Sequence, residues 1–199
     1  MSTSIVQVGY RYESIRATVA RNDSDISDHV RIFLSNDENR NKIIGLDTER
    51  SVLQCGIDYP PESRLVVLQL CDGQNCLIIP VRYVCGNKLP VSLTNILNLP
   101  EYTFMGVGIS KALEMLKSEC GLTCKNAVDI GPSSWTLLSK SLGKIKRKSQ
   151  EYLSFREPIP EAIYEDWDSG SLSENQIKLA TANAHLAFEV ENMILENTY

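Results

Sequence analysis

The chain has 199 residues, enough for one well-formed hydrophobic core and few for two. Hydrophobic residues make up 43% and charged residues 23%, which excludes wholesale disorder, collagen-like repeats and low-complexity architecture. The net charge of −5 is unevenly spread: Glu151–Tyr199 carries −8 and the rest +3.

Segments Ile5–Tyr12 and Ile15–Ala20 alternate as an opening pair of strands at a sheet edge. Ser24 and Asp25 are predicted to cap a helix whose apolar face is Ile26, Val30, Phe33 and Leu34. Lys42–Glu49 reads as a strand that starts apolar and turns abruptly acidic. Arg64–Cys71 and Asn75–Pro80 read as strands joined through Asp72-Gly73, a hairpin signal. A short helix over Val91–Leu99 is closed by Pro100. Tyr102–Gly106 is a strand leading through Val107-Gly108 into a helix over Ile109–Glu119. Val128–Ile130 starts another short element, and Pro132–Leu142 reads as a helix. A last long helix, Ser173–Glu196, opens with the capping-box pattern Ser173-x-x-Gln176 and keeps Ile177, Ala180, Ala184, Phe188 and Ile194 near one face.

This order implies an α/β fold, a mixed β-sheet flanked by α-helices. No repeat or long linker interrupts it, so residues 1–199 are read as a single domain, with 1–22 an N-terminal strand extension. The longest apolar runs, Leu65–Leu68 and Cys76–Val81, fall far short of the roughly 20 residues of a membrane span. The first residues lack the apolar stretch of a signal peptide. A nuclear or cytoplasmic protein with no membrane partner is therefore expected. In such a compartment the six cysteines, Cys55, Cys71, Cys76, Cys85, Cys120 and Cys124, read as buried thiols. Their spacing, with only His29 and His185 as histidines, does not suit zinc.

Asp47-Thr48-Glu49 carries the sharpest chemistry. Residues two apart on a strand share a face, so two carboxylates project together from the end of an apolar strand. Like charges so placed need a neutralising cation, and hard Mg²⁺ or Mn²⁺ prefers carboxylate oxygen. The plain alternative has Asp47 capping a turn and Glu49 facing water. A second charged feature is the basic run Lys144–Lys148, with Lys140 upstream. Such a run is a solvated loop, a polyanion-binding patch or a nuclear-import signal.

Taken together, the acidic strand, the following Leu-Gln-Leu-Cys hairpin, Gly106-Val107-Gly108-Ile109 and Trp167-x4-Leu172-Ser173-Glu174-Asn175-Gln176 resemble the DEDD 3′–5′ exonucleases of ribonuclease-H-like fold. The likeness is to the Werner-syndrome-protein branch and runs from about Ile26 to Met193. It implies two-metal hydrolysis of phosphodiester bonds from the 3′ end of single-stranded DNA or RNA. It also implies a homo-oligomer, with a ring as one form.

On this resemblance Asp47 and Glu49 match the first two family acids and are the metal ligands. The third acid falls at Ala112, the fourth at Asn183, and the water-orienting tyrosine at Leu179. The catalytic set carried over is thus Asp47, Glu49 and Asn183. Neither Glu114 nor His185 compensates, since each sits two residues on, about 200° around its helix. The sister subfamily's histidine falls at Lys178, and Arg50 replaces an aromatic. Lys140, Lys144, Lys146, Arg147 and Lys148 follow a Leu-Gly step near the family's substrate channel, so they are the expected phosphate contacts. Trp135 and Trp167 read as packing anchors. Two readings follow: a metal-dependent exonuclease with an incomplete acid set, or a catalytically impaired pseudo-exonuclease that binds nucleic acid or serves as an oligomeric scaffold.

Overall fold

A computed structural model describes residues 2–8, 13–53, 62–83, 90–130 and 166–196. The expected helix at Pro132–Leu142, Trp135, and the basic residues Lys140, Lys144, Lys146, Arg147 and Lys148 lie outside the described residues. Among the described residues the strands are β1 Ser2–Val8, β2 Glu13–Val19, β3 Ile43–Leu53, β4 Glu62–Cys71, β5 Asn75–Pro80, β6 Thr103–Gly106 and β7 Ala127–Asp129. The helices are α1 Asp23–Leu34, α2 Val91–Leu97, α3 Ser110–Cys120 and α4 Glu174–Glu196.

The strands form one mixed sheet in the order β1-β2-β5-β4-β3-β6-β7. β1 is indeed an edge strand, and β2 runs parallel to β5. Every residue of β5 is buried, as expected of a strand covered on both faces. Ile44 and Leu46 of β3 enter one core with Phe33 of α1, Leu93 of α2 and Leu116 of α3. On the opposite face Leu179, Ala180 and Ala184 of α4 pack with Val67 of β4 and Trp167. The result is an α/β/α sandwich, with β3 near its middle.

Local chemistry accounts for most boundaries. The α1 cap is Asn22, two residues before the expected Ser24–Asp25 pair; its Oδ1 accepts from Asp25 N at 2.9 Å. Asn22 has the extended backbone that an N-cap needs, whereas Ser24 and Asp25 are already helical. Leu34 departs from the apolar face and is exposed at the helix end. The capping box of α4 is closed as expected, Gln176 N donating to Ser173 Oγ at 3.1 Å and Ser173 N to Gln176 Oε1 at 2.8 Å. At the β4–β5 turn Asp72 Oδ1 accepts from Gln74 N and Asn75 N, while Gly73 takes φ +95°. Cys71 and Cys76 are free, buried thiols, but Cys120 is disulfide-bonded and departs from the thiol expectation. No helix among the described residues is long and apolar enough to cross a membrane.

Candidate active site

The site begins with strand alternation. Ile43, Gly45, Asp47 and Glu49 share the α4 face of β3, while Ile44 and Leu46 enter the opposite core. β3 extends beyond Glu49 to Leu53, with a register shift immediately after that residue: Glu49 faces Val67, whereas Arg50 faces Leu65. The bulge leaves Val66 as the extra residue of β4 and turns the strand just past the acids.

Gly45 sets how close α4 comes. A Cβ there would lie 2.7 Å from Phe188 N and closer still to Ala184 O. Only hydrogen fits between strand and helix at this crossing, so the backbone of α4 rests directly on β3. That approach brings Asn183 to the acids, its Nδ2 donating to Glu49 Oε1 at 3.4 Å across 134 residues of sequence. A second amide reaches the same oxygen: Gln69 Nε2 donates to Glu49 Oε1 at 3.4 Å. Gln69 stands directly opposite Asp47 in the β3–β4 register and is fully buried.

Burial first and the neighbouring Asp47 charge second raise the Glu49 carboxyl to about 7, against the opposing pull of the Gln69 and Asn183 amides and the Arg50 cation. Two carboxylates on one half-buried face therefore repel each other, as the sequence pattern requires.

The remaining positions differ in character. Ala112 is buried in the first turn of α3, the helix that leaves the end of β6 beside Leu46. Its start is held by Asp129, which accepts from Gly108 N at 2.8 Å, Ser110 N at 3.0 Å and Ser110 Oγ at 2.6 Å. Leu179, one turn before Asn183, packs with Val66, Val67 and Trp167 and brings no hydroxyl. Trp167 is buried there, as a packing anchor should be. Glu114 and Arg50 are exposed, and His185 is buried with its ring 6.2 Å from that of Phe188. Sequence reasoning missed Gln69 as a site residue. Its signal was a lone polar side chain inside the apolar run Leu65–Leu70.

The comparisons with known proteins agree with this architecture. A model of the 3′–5′ exonuclease family matches residues 24–198. The chain belongs to the 3′–5′ exonuclease family. Among solved structures, the catalytic core of RRP6 from Trypanosoma brucei superimposes at TM-score 0.68 with 14% identity, covering 99% of this chain and 51% of that one. Escherichia coli RNase D, an exoribonuclease involved in structured RNA processing, superimposes at TM-score 0.63 with 20% identity, covering 92% of this chain and 45% of that one. This exonuclease-family chain thus spans about half the length of these two structures, and at such identities they attest the ribonuclease-H-like fold. Comparison with curated protein sequences gives no match.

The donor set of this exonuclease-family site can be weighed against the metals that the family resemblance implies. Among the described residues no three His, Cys, Asp or Glu side chains gather into a metal-binding group. Among the described residues a pair of divalent ions would lack anionic ligands. Asp47 and Glu49 nonetheless supply carboxylate oxygens, the amides of Asn183 and Gln69 turn nitrogen toward Glu49, and Gln69 Oε1 is buried with no hydrogen-bond partner. Such oxygens fit one hard cation, Mg²⁺ or Mn²⁺.

Proposed function

We propose that this domain takes the 3′ end of single-stranded DNA or RNA at the face between β3 and α4 and hydrolyses its terminal phosphodiester bond slowly. The observation that supports this reading is Glu49 Oε1 held by Asn183 Nδ2 beside Asp47, within the family fold. Asp47 and Glu49 would hold a single Mg²⁺ or Mn²⁺, which supplies charge stabilisation at the phosphate and a more acidic water. The chain's own groups set the limit on rate. Asn183 offers a neutral amide where the family resemblance expects a carboxylate, Ala112 offers no oxygen, and Leu179 cannot orient water. Losing one electrostatic contributor to a transition state costs on the order of 10²–10³ in rate, so losing two acids should leave only slow turnover.

Lys140, Lys144, Lys146, Arg147 and Lys148 would neutralise backbone phosphates without reading sequence. Their replacement by alanine should lower the salt dependence of binding by about one slope unit per lost phosphate contact. A homo-oligomer, a ring included, and a nuclear or cytoplasmic location belong to the same proposal. A second reading, favoured by the buried, apolar Ala112 and Leu179, is a non-hydrolytic module that binds nucleic acid or serves as an oligomeric scaffold.

Incubation with 3′- and 5′-labelled single strands, with and without Mg²⁺ or Mn²⁺, separates the two. A metal-dependent ladder from the 3′ end, absent in Asp47→Ala, supports slow hydrolysis. Binding with no ladder overturns it in favour of the non-hydrolytic module.

A further inference from the structure

The orphaned carboxamide oxygen of Gln69 needs a physical reason. The side chain is fully buried in β4, Nε2 is engaged with Glu49, and Oε1 has no hydrogen-bond partner. A buried acceptor without a partner is destabilising, a cost that leucine of similar size would avoid. With the two ends of the amide exchanged, oxygen would face Glu49 wherever that group is ionised. The amide orientation is therefore set by Glu49, and the acceptor is left for something that protein atoms do not supply. Gln69 is the direct cross-strand partner of Asp47, and such pairs have Cβ atoms about 4.5–5.5 Å apart on one face. Gln69 and Asp47 therefore stand side by side on the α4 face of the sheet, with Glu49 held by the same amide.

Resting on the single-cation reading above, we propose that Gln69 is a ligand of that cation, its Oε1 joining Asp47 and Glu49. The third oxygen then comes from the neighbouring strand instead of from α3 or α4. Gln69 also positions Glu49: with Asn183 it engages one carboxylate oxygen and leaves the other for the ion. This assignment gives a role to the polar Gln69 between Leu68 and Leu70, both buried in the opposite core.

The test measures Mn²⁺ binding to the full chain by calorimetry and by the electron paramagnetic resonance of free Mn²⁺. The proteins are wild type, Asp47→Ala, Gln69→Leu and Gln69→Glu, each also unfolded in urea with chelator. Gln69→Leu should weaken Mn²⁺ binding at least tenfold while its metal-free stability equals or exceeds wild type. Gln69→Glu should bind Mn²⁺ more tightly than wild type. A merely structural glutamine would give the reverse pattern: lower metal-free stability in Gln69→Leu with unchanged Mn²⁺ affinity, which overturns the assignment. Should Gln69→Leu fail to fold, Gln69→Glu decides alone, and affinity no tighter than wild type overturns the assignment. Wild-type binding that Asp47→Ala abolishes but the Gln69 variants leave unchanged removes only the role of Gln69. No Mn²⁺ binding by wild type removes the single-cation reading beneath it.

Discussion

Glu49→Gln isolates the cost of holding two carboxylates on one half-buried face. The Glu49 carboxyl is raised from an ordinary 4.5 to about 7, first by burial and then by Asp47. A group whose folded pKa is raised contributes stability in full below the unfolded value, and that contribution is lost as the pH climbs through the folded value. Each pKa unit corresponds to about 1.4 kcal/mol, so the full loss is roughly 3 kcal/mol, trimmed toward about 2 kcal/mol by solvent screening of a partly exposed group. Glutamine keeps the shape and the acceptor for Asn183 and removes the charge. In chelator at pH 8, Glu49→Gln should be more stable than wild type by about 2–3 kcal/mol, and the difference should vanish near pH 4.5. Urea unfolding at the two pH values reads this directly, with an unchanged m-value as the check that the unfolded states match. Adding Mn²⁺ at pH 8 should restore stability to wild type by mass action and leave Glu49→Gln unmoved. A variant no more stable than wild type at pH 8 would refute the account of the site's electrostatics.

Other perturbations probe the frame around the site. His29 is fully buried against Phe33, and burial lowers its pKa to about 4. From about pH 6.5 down to pH 4 the unfolded chain takes up a proton that the folded chain refuses, so stability falls on acidification by roughly 3 kcal/mol, and His29→Leu should remove that part of the acid slope in a urea titration. Gly45→Ala would drive a Cβ into the α4 backbone, and calorimetry should show at least about 2 kcal/mol of destabilisation together with weaker Mn²⁺ binding as Asn183 moves off Glu49. Asp129→Ala leaves the amides at the start of α3 without their acceptor, and denaturation should register about 1–2 kcal/mol. Ala112→Asp combined with Asn183→Asp should tighten Mn²⁺ binding in calorimetry; unchanged affinity would mean those positions do not belong to the cation site.

Much of this was legible from local pattern. Alternation along Ile43–Glu49 is enough to say that Asp47 and Glu49 share a face, because successive side chains on a strand must oppose each other. The Ser173–Gln176 capping box announces the start of α4 from four residues of sequence. The cap of α1 was expected at Ser24 or Asp25 and is instead Asn22, whose extended backbone suits the role; backbone angles are not written in composition.

The chain alone therefore determined the alternation, the helix faces and the pairing of two acids, since each depends only on neighbours a few residues apart. Tertiary structure decided what surrounds those acids. It let α4 settle on the bare backbone of Gly45, delivered Asn183 from 134 residues away, and set Gln69 across the ladder from Asp47. It also raised the Glu49 carboxyl, because desolvation and charge repulsion depend on which groups meet in space and on how much water is left between them.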